Sequence, residues 1–240
     1  MKKDHLFDTN TVVEDFTFND NVAEIFDDML NRSIPFYGPV IDGMAELTRL
    51  FARPGVTVYD LGCSTGTTLL ELARRLPEKN LRFTGIDNAP AMIDKAKRKS
   101  EMYSTGSSIT FLQDDITGVD LPHAGVILCN YTLQFIRPMV RPQFIRRIYD
   151  SLPDNGLLFL SEKVINHDKK LNRTFINIYH SFKRQQGYSE LEISAKREAL
   201  ENVLVPFSIE ENMDLVTQAG FTSVEPFFQW FNFVSFIAIK

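Results

Sequence analysis

An α/β fold organised around a mostly parallel sheet is the class this sequence predicts, and three observations carry the prediction. Apolar, strand-like runs recur at 57–61, 81–86, 109–113, 125–130 and 156–162. Helical patterns at 66–76, 90–101 and 140–152 fall between them, and such alternation implies parallel strands joined by crossover helices. The first run ends in an acid and a glycine turn, Asp60-Leu-Gly62-Cys-Ser-Thr-Gly66, that opens the next helix. Strand, glycine turn and helix together describe a nucleotide site, because at Gly62 and Gly66 the backbone can approach a ligand where a Cβ would intrude.

Taken in order, residues 21–32 and 36–51 read as two helices separated by a break at Ser33-Ile-Pro35. They stand ahead of the first strand, where they would cover its ligand edge as a lid over residues 1–52. The second strand, Leu81-Arg-Phe-Thr-Gly-Ile-Asp87, sets Asp87 about where a doubly wound fold holds an acid against ribose hydroxyls. The third is followed by Asp114, Asp115 and Ile116, and the fourth ends at Asn130, whose amide carbonyl can accept a hydrogen bond. After Glu162 the alternation stops, and 163–206 form a helical insertion and a candidate substrate region. A helix at 208–219 ends at Gly220, a C-cap glycine. Two aromatic-rich runs, 223–230 and 232–239, are spaced to pair as a hairpin at the sheet edge. One domain with seven strands, mostly parallel and with an antiparallel last strand, describes the Rossmann-like sheet of class I methyltransferases.

A dinucleotide site would carry Gly-x-Gly-x-x-Gly and admit pyrophosphate to the helix N-terminus. Here the middle glycine is Ser64. Asp60, one turn ahead of the glycines, would repel pyrophosphate and attract the ammonium or sulfonium of S-adenosylmethionine. Gly62-Cys-Ser-Thr-Gly66 also fits the Gly-x-Ser-x-Gly nucleophile elbow of hydrolases. That elbow normally follows a middle strand and an oxyanion loop, whereas this turn follows the first strand and no His-Gly-Gly segment precedes it.

At 240 residues and 44% hydrophobic, the chain can bury one sizeable core. Its N-terminus bears Asp4, Asp8, Glu14 and Asp15 without an apolar block, and no run reaches membrane-spanning length, so a soluble, cytoplasmic protein is expected. A formal net charge of -5 tells against a broad phosphate-binding face and disfavours direct tRNA binding. Basic residues gather between Lys163 and Arg197 but are interspersed with acids, the usual pattern of solvated helix faces. Cys63 and Cys129 end neighbouring strands and could face one site; without clustered histidines they read as apolar fillers, and no metal is predicted. His123, His167 and His180 have the titration range of general bases, yet none stands in a defensible motif.

Tyr59-Asp-Leu-Gly-Cys-Ser64, Ile86-Asp-Asn88 and Thr132-Leu-Gln-Phe135 closely resemble the carboxy-S-adenosylmethionine synthases. More specific are Leu160-Ser-Glu-Lys163, Phe182-Lys-Arg184, Gly187-Tyr-Ser-Glu-Leu-Glu-Ile-Ser194, Lys196-Arg197 and Leu200-Glu-Asn-Val203, with Phe231-Asn-Phe233 near the end. The likeness spans nearly the whole chain, and Trp230 stands where a smaller residue is expected.

The resemblance implies an enzyme that converts S-adenosylmethionine and prephenate to carboxy-S-adenosylmethionine and phenylpyruvate. The product would then serve a separate enzyme that modifies the wobble uridine of tRNA. A sulfonium acidifies its attached methyl, so proton loss gives an ylide that can capture the carbon dioxide leaving prephenate. Such chemistry needs a cofactor cradle, a cation for the new carboxylate and an enclosed site. The implied cradle is Tyr37, Gly62, Cys63, Ser64, Asp87, Asn88, Asp115, Ile116 and Asn130. Spacing alone leaves Asp114 in competition with Asp115, and Tyr37 alone reads as packing at a helix start.

Arg197 is the carboxylate-binding arginine by resemblance, and a planar guanidinium can grip a carboxylate in bidentate fashion. Periodicity leaves it open: Ile193, Leu200 and Leu204 form an apolar stripe with Arg197 on one flank and Lys196 on the other. Glu192 with Lys196, and Arg197 with Glu201, have equally the spacing of solvated i, i+4 pairs. Prephenate has two carboxylates, so further cations are required, and Arg173, Lys183 and Arg184 are candidates. A homodimer is the family expectation, for which Phe227, Phe228 and Trp230 are available unless the core takes them. The alternatives are a conventional methyltransferase acting on tRNA or a small carboxylic acid, and a module that binds the nucleoside without turnover.

Overall fold

The computed structural model describes residue 4 and residues 16–102 and 108–240; Asp8, Glu14 and Asp15 lie outside them. Its sheet comprises β1 (Thr57–Leu61), β2 (Arg82–Asp87), β3 (Ser108–Gln113), β4 (Ala124–Asn130), β5 (Leu157–Lys163), β6 (Ser223–Trp230) and β7 (Phe233–Ile239). The order is β3-β2-β1-β4-β5-β7-β6, with β1 to β5 mutually parallel and β7 antiparallel to both its neighbours. This is the expected α/β class, antiparallel last strand included.

The central strands are apolar runs rather than alternating ones because helices cover both faces. Leu157 and Phe159 of β5 join one core cluster, and Leu158 and Leu160 join the other. The first cluster takes in α2 (Tyr37–Phe51) and α3 (Thr67–Arg75); the second takes in α5 (Arg141–Ser151) and α8 (Ile209–Gln218). Cys63 belongs to the first and Cys129 to the second, so the two thiols do not face a common site. Burial pushes both thiols up in pKa, as expected of fillers.

Strand order reverses beside β1, which lies between β2 and β4, and in such sheets the crevice outside the strand ends receives ligands. Over that edge lie α1 (Asp20–Ser33), capped by the Asn19 side chain accepting from the Val22 N–H, and the insertion after β5. The insertion forms α6 (Lys169–Gln185) and α7 (Glu190–Leu200). A reciprocal capping box starts α7, with the Glu192 carboxylate taken by the Ser189 N–H at 2.7 Å. Glu192 is thereby committed to its own helix start, and Lys196 pairs elsewhere.

A bulge between Pro226 and Phe228 turns Phe227 towards Gly43 and the Phe159 ring, while Trp230 packs among Phe36, Phe182, Phe231 and Phe233. Phe227, Phe228 and Trp230 are half-buried. Among the described residues no helix is long and apolar enough to cross a membrane.

Candidate active site

A cavity of about 900 Å³ opens over the C-terminal ends of β1, β2 and β4 and reaches β5. Its floor is the turn after β1. Gly62 has φ +78°, and a Cβ there would lie 2.5 Å from the Thr132 side chain, so no other residue fits without moving its neighbour. The Gly62 and Cys63 N–H groups donate to the Ile86 carbonyl at 2.8 and 3.1 Å, and the Ser64 N–H donates to Asp87 Oδ2 at 2.9 Å. Three successive N–H groups are thus spent on β2 rather than offered to a phosphate.

The start of α3 is likewise already supplied with negative charge. Asp27 of α1 accepts from the Thr65 and Thr67 hydroxyls at 2.6 and 2.8 Å and from Lys99 at 2.9 Å. These contacts hold its carboxyl below the usual range despite burial. A pyrophosphate would meet that carboxylate, which agrees with the charge argument from Asp60. No histidine is hydrogen-bonded to Ser64 among the described residues, and the nucleophile-elbow reading has no base to activate it.

Asp60 is buried, 2% exposed, and its Oδ1 has no hydrogen-bond partner among the described residues. Burial, aided by the charge of Asp87, pushes its carboxyl up to about 7. Asp87 is also raised by burial, although its carboxylate accepts from the Ala89 N–H at 2.9 Å as well as from Ser64. Asn88 lines the cavity beside it. Asp115 and Ile116 line the wall, and Asp114 does not. The Asp115 carboxylate accepts from the Thr117 N–H at 2.9 Å, which lowers its pKa. The structure therefore separates two acids that spacing could not.

Tyr37 and Asn130 share one partner. The Tyr37 hydroxyl lies 2.6 Å from Thr68 Oγ1, and Asn130 Nδ2 donates to the same oxygen at 3.1 Å. That fixes the amide so that its Oδ1 is left buried and unpaired. Two buried acceptors without donors, on Asp60 and Asn130, are what a cationic ligand would satisfy.

The opposite end is cationic. Lys163 from β5, Lys183 from α6, and Lys196 and Arg197 from α7 all line the cavity. Lys196 is the buried member of the last pair: its ammonium donates to Ser33 Oγ at 3.1 Å and lies 3.6 Å from Asp4 Oδ2. Arg197 is exposed at the rim and makes no hydrogen bond or ion pair among the described residues, so the solvated pair with Glu201 does not form. Of the other candidate cations, Arg184 is exposed and paired with Glu190, and Arg173 lines a separate small cavity between α6 and α7. His180 lines both cavities; burial and neighbouring Lys183 and Lys163 lower its pKa. His167 pairs with Glu210 on the surface, and His123 occupies a turn with φ +59°. Among the described residues no group of His, Cys, Asp and Glu could hold a metal ion.

Comparison with known proteins resolves the family. A profile described as a methyltransferase domain matches residues 58–156. The carboxy-S-adenosyl-L-methionine synthase of Desulfotalea psychrophila is 55% identical over 239 residues, covering 100% of this chain and 98% of that one. Those of Wolinella succinogenes and Methylococcus capsulatus are 47% and 42% identical, again over 98% or more of each chain. The chain belongs to the carboxy-S-adenosyl-L-methionine synthase family. Solved structures agree on the fold: a candidate S-adenosyl-L-methionine-dependent methyltransferase from Methanococcus maripaludis superposes with a TM-score of 0.64 at 17% identity, covering 96% and 97% of the two chains. An O-methyltransferase family protein from Burkholderia thailandensis gives 0.66 at 19% identity, covering 94% and 64%.

Within this fold, the whole implied cradle and Arg197 line the large cavity, namely Tyr37, Gly62, Cys63, Ser64, Asp87, Asn88, Asp115, Ile116, Asn130 and Arg197, whereas Arg173 and Arg184 do not. Sequence reasoning missed Lys163 and Tyr179 and passed over His180. For Lys163 the signal was present, since a lysine ends a central strand that opens on four apolar residues and reaches the ligand edge.

Proposed function

We propose that this protein makes carboxy-S-adenosylmethionine from S-adenosylmethionine and prephenate, releasing phenylpyruvate. One observation carries the reading: a single cavity joins an acidic end with unpaired buried acceptors to a cationic end with Arg197 at its rim. Asp87 would hold the ribose hydroxyls and Asn88 their surroundings, Asp115 and Ile116 the adenine, and Asp60 and Asn130 the amino-acid and sulfonium part. Tyr37 would keep Asn130 oriented through Thr68. The residues fit, because the orphaned oxygens of Asp60 and Asn130 need donors or positive charge and the Gly62 turn leaves no room for a side chain.

When bound, S-adenosylmethionine supplies a sulfonium that acidifies its own methyl group. Prephenate loses its ring carboxylate as carbon dioxide and its ring hydroxyl as hydroxide, leaving phenylpyruvate. A methyl proton leaves with the hydroxide as water, and the methyl carbon forms its bond to carbon dioxide. Arg197 would pair with the new carboxylate, a charge present in product and not in the starting methyl group. The roof of α1, α6 and α7 would retain carbon dioxide and exclude water.

A net charge of -5 supports a small-molecule site rather than a tRNA-binding face, the tRNA step falling to another enzyme. Half-exposed Phe36, against Phe228 and Trp230, supports a homodimer.

The test is mass spectrometry of the nucleoside pool after incubation with S-adenosylmethionine, with and without prephenate. A prephenate-dependent product heavier by one carboxyl group is expected, reduced roughly 100-fold or more in Arg197→Leu. An unchanged cofactor overturns the reading, and demethylated cofactor appearing only with another acceptor supports a conventional methyltransferase instead.

A further inference from the structure

Lys163 and Lys183 stand out among the cavity's charges because neither has an ion-pair partner among the described residues. Both ammonium groups pack against the Tyr179 ring, at 5.3 and 4.9 Å from its centroid, which puts them no more than about 10 Å apart. Lys183 is only 5% exposed. Neither makes an ion pair or a side-chain hydrogen bond among the described residues. The acid that acts on Lys183, Asp4, is already engaged by Lys196 and by the Tyr188 hydroxyl. Of the other charged groups nearby, His180 and Arg184 on α6 and Lys196 and Arg197 on α7 add no negative charge, and Glu201, which lines the same cavity, is not among the groups acting on either lysine. Two desolvated cations without a counter-ion are expensive, and a protein keeps them where an anion arrives from outside.

Resting on the proposed reaction, the geometry points to Lys163 and Lys183, gathered beside the Tyr179 ring, as the seat of the co-substrate's retained 2-oxo-acid carboxylate. The division of labour follows from the chemistry. A carboxylate that must leave as carbon dioxide is hindered by a firm ion pair, because the pair stabilises the ground state and not the transition state. The carboxylate that survives into phenylpyruvate can be gripped without that penalty. Holding it at the lysines leaves the ring carboxylate free to face the methyl group, with Arg197 kept for the product. Lys183 and Lys163 are thus positioning residues for the second substrate.

The experiment is calorimetric binding of phenylpyruvate, which carries only the retained carboxylate, to wild type, Lys163→Met, Lys183→Met and Arg184→Met. Methionine keeps the apolar stem and removes the charge, so the two cavity variants should be at least as thermally stable as wild type, which a merely structural lysine would not allow. Affinity is expected to fall about 30-fold or more in each cavity variant and to hold in Arg184→Met. Wild-type binding near pH 8 should also take up protons, seen as a dependence on buffer ionisation enthalpy, because an arriving carboxylate restores the charge of lysines depressed by burial. Unchanged affinity in both cavity variants, or a parallel loss of S-adenosylmethionine binding, overturns the assignment. The reaction itself is judged separately: wild type that binds phenylpyruvate through these lysines but makes no carboxylated nucleoside from prephenate would refute the synthase reading and leave a 2-oxo-acid site.

Discussion

At one end of the cavity Asp87 and Asp115 accept from backbone N–H groups of the surrounding turns, whereas at the other Lys163 and Lys183 have no ion-pair partner among the described residues. The acidic end belongs to the sheet: it is made of strand ends, and its carboxylates help to shape the loops that carry them. The cationic end is assembled from β5 and two inserted helices; Lys196 there ties α7 to Ser33, but Lys163 and Lys183 make no hydrogen bond or ion pair through their side chains among the described residues. The first has its loops set before any ligand arrives and lacks only partners for the Asp60 and Asn130 oxygens; the second becomes electrostatically whole only with an anion in place. Damage at the acidic end should therefore disturb loop and nucleoside together, while damage at the cationic end should spare both.

The largest effect that could break this contrast is at Asp87. Asp87→Ala strands the Ser64 and Ala89 N–H groups and removes the proposed ribose acceptor, at about 1.5–3 kcal/mol for each hydrogen bond to a charged group. S-adenosylmethionine affinity measured by calorimetry should fall about 100-fold or more. A loss below threefold would mean the acidic end is not the nucleoside site.

A smaller effect sharpens it through pH. With its carboxyl pushed up to about 7, Asp60 is largely protonated at pH 6, and a cationic ligand must displace that proton. Affinity for S-adenosylmethionine should rise with pH, by up to about tenfold per unit below 7, and level off above it. The ligand-free fold runs the other way. A raised carboxyl pKa stabilises it below the unfolded value, and that stability is lost as pH rises through about 7. In Asp60→Asn the affinity profile should lose this rise; a profile that keeps it assigns the titration elsewhere. The smallest effect is the control at Arg184, whose exposed pair with Glu190 is worth at most about 1 kcal/mol, so turnover in Arg184→Ala should stay within about twofold of wild type.

The acidic end was legible in the sequence because its parts are consecutive. Gly62, Ser64 and Asp87 follow strands whose apolar runs are unmistakable, and the parallel order brings them together. The cationic end was not. Lys163, Lys183 and Lys196 come from three elements, and no periodicity tells which face of α6 or α7 meets the sheet. On α7 the flanking pair Lys196 and Arg197 divides in a way sequence left open, the lysine buried against Ser33 and Asp4 and the arginine left at the rim. The Ser189-x-x-Glu192 cap was visible and would have set the start of α7, and with it which glutamate was unavailable to Lys196. Asp114 and Asp115 parted only through the hydrogen bonds of a turn, which strand spacing does not encode.

Ser33, in the last turn of α1, accepts from the Tyr179 hydroxyl of α6 through its carbonyl at 2.9 Å and from Lys196 of α7 through its hydroxyl oxygen at 3.1 Å. One small residue is thereby a rivet through three helices from distant parts of the chain. With that rivet set, separating any one of the three helices from the others costs at least one of these hydrogen bonds, so the parts of the cover are coupled to one another.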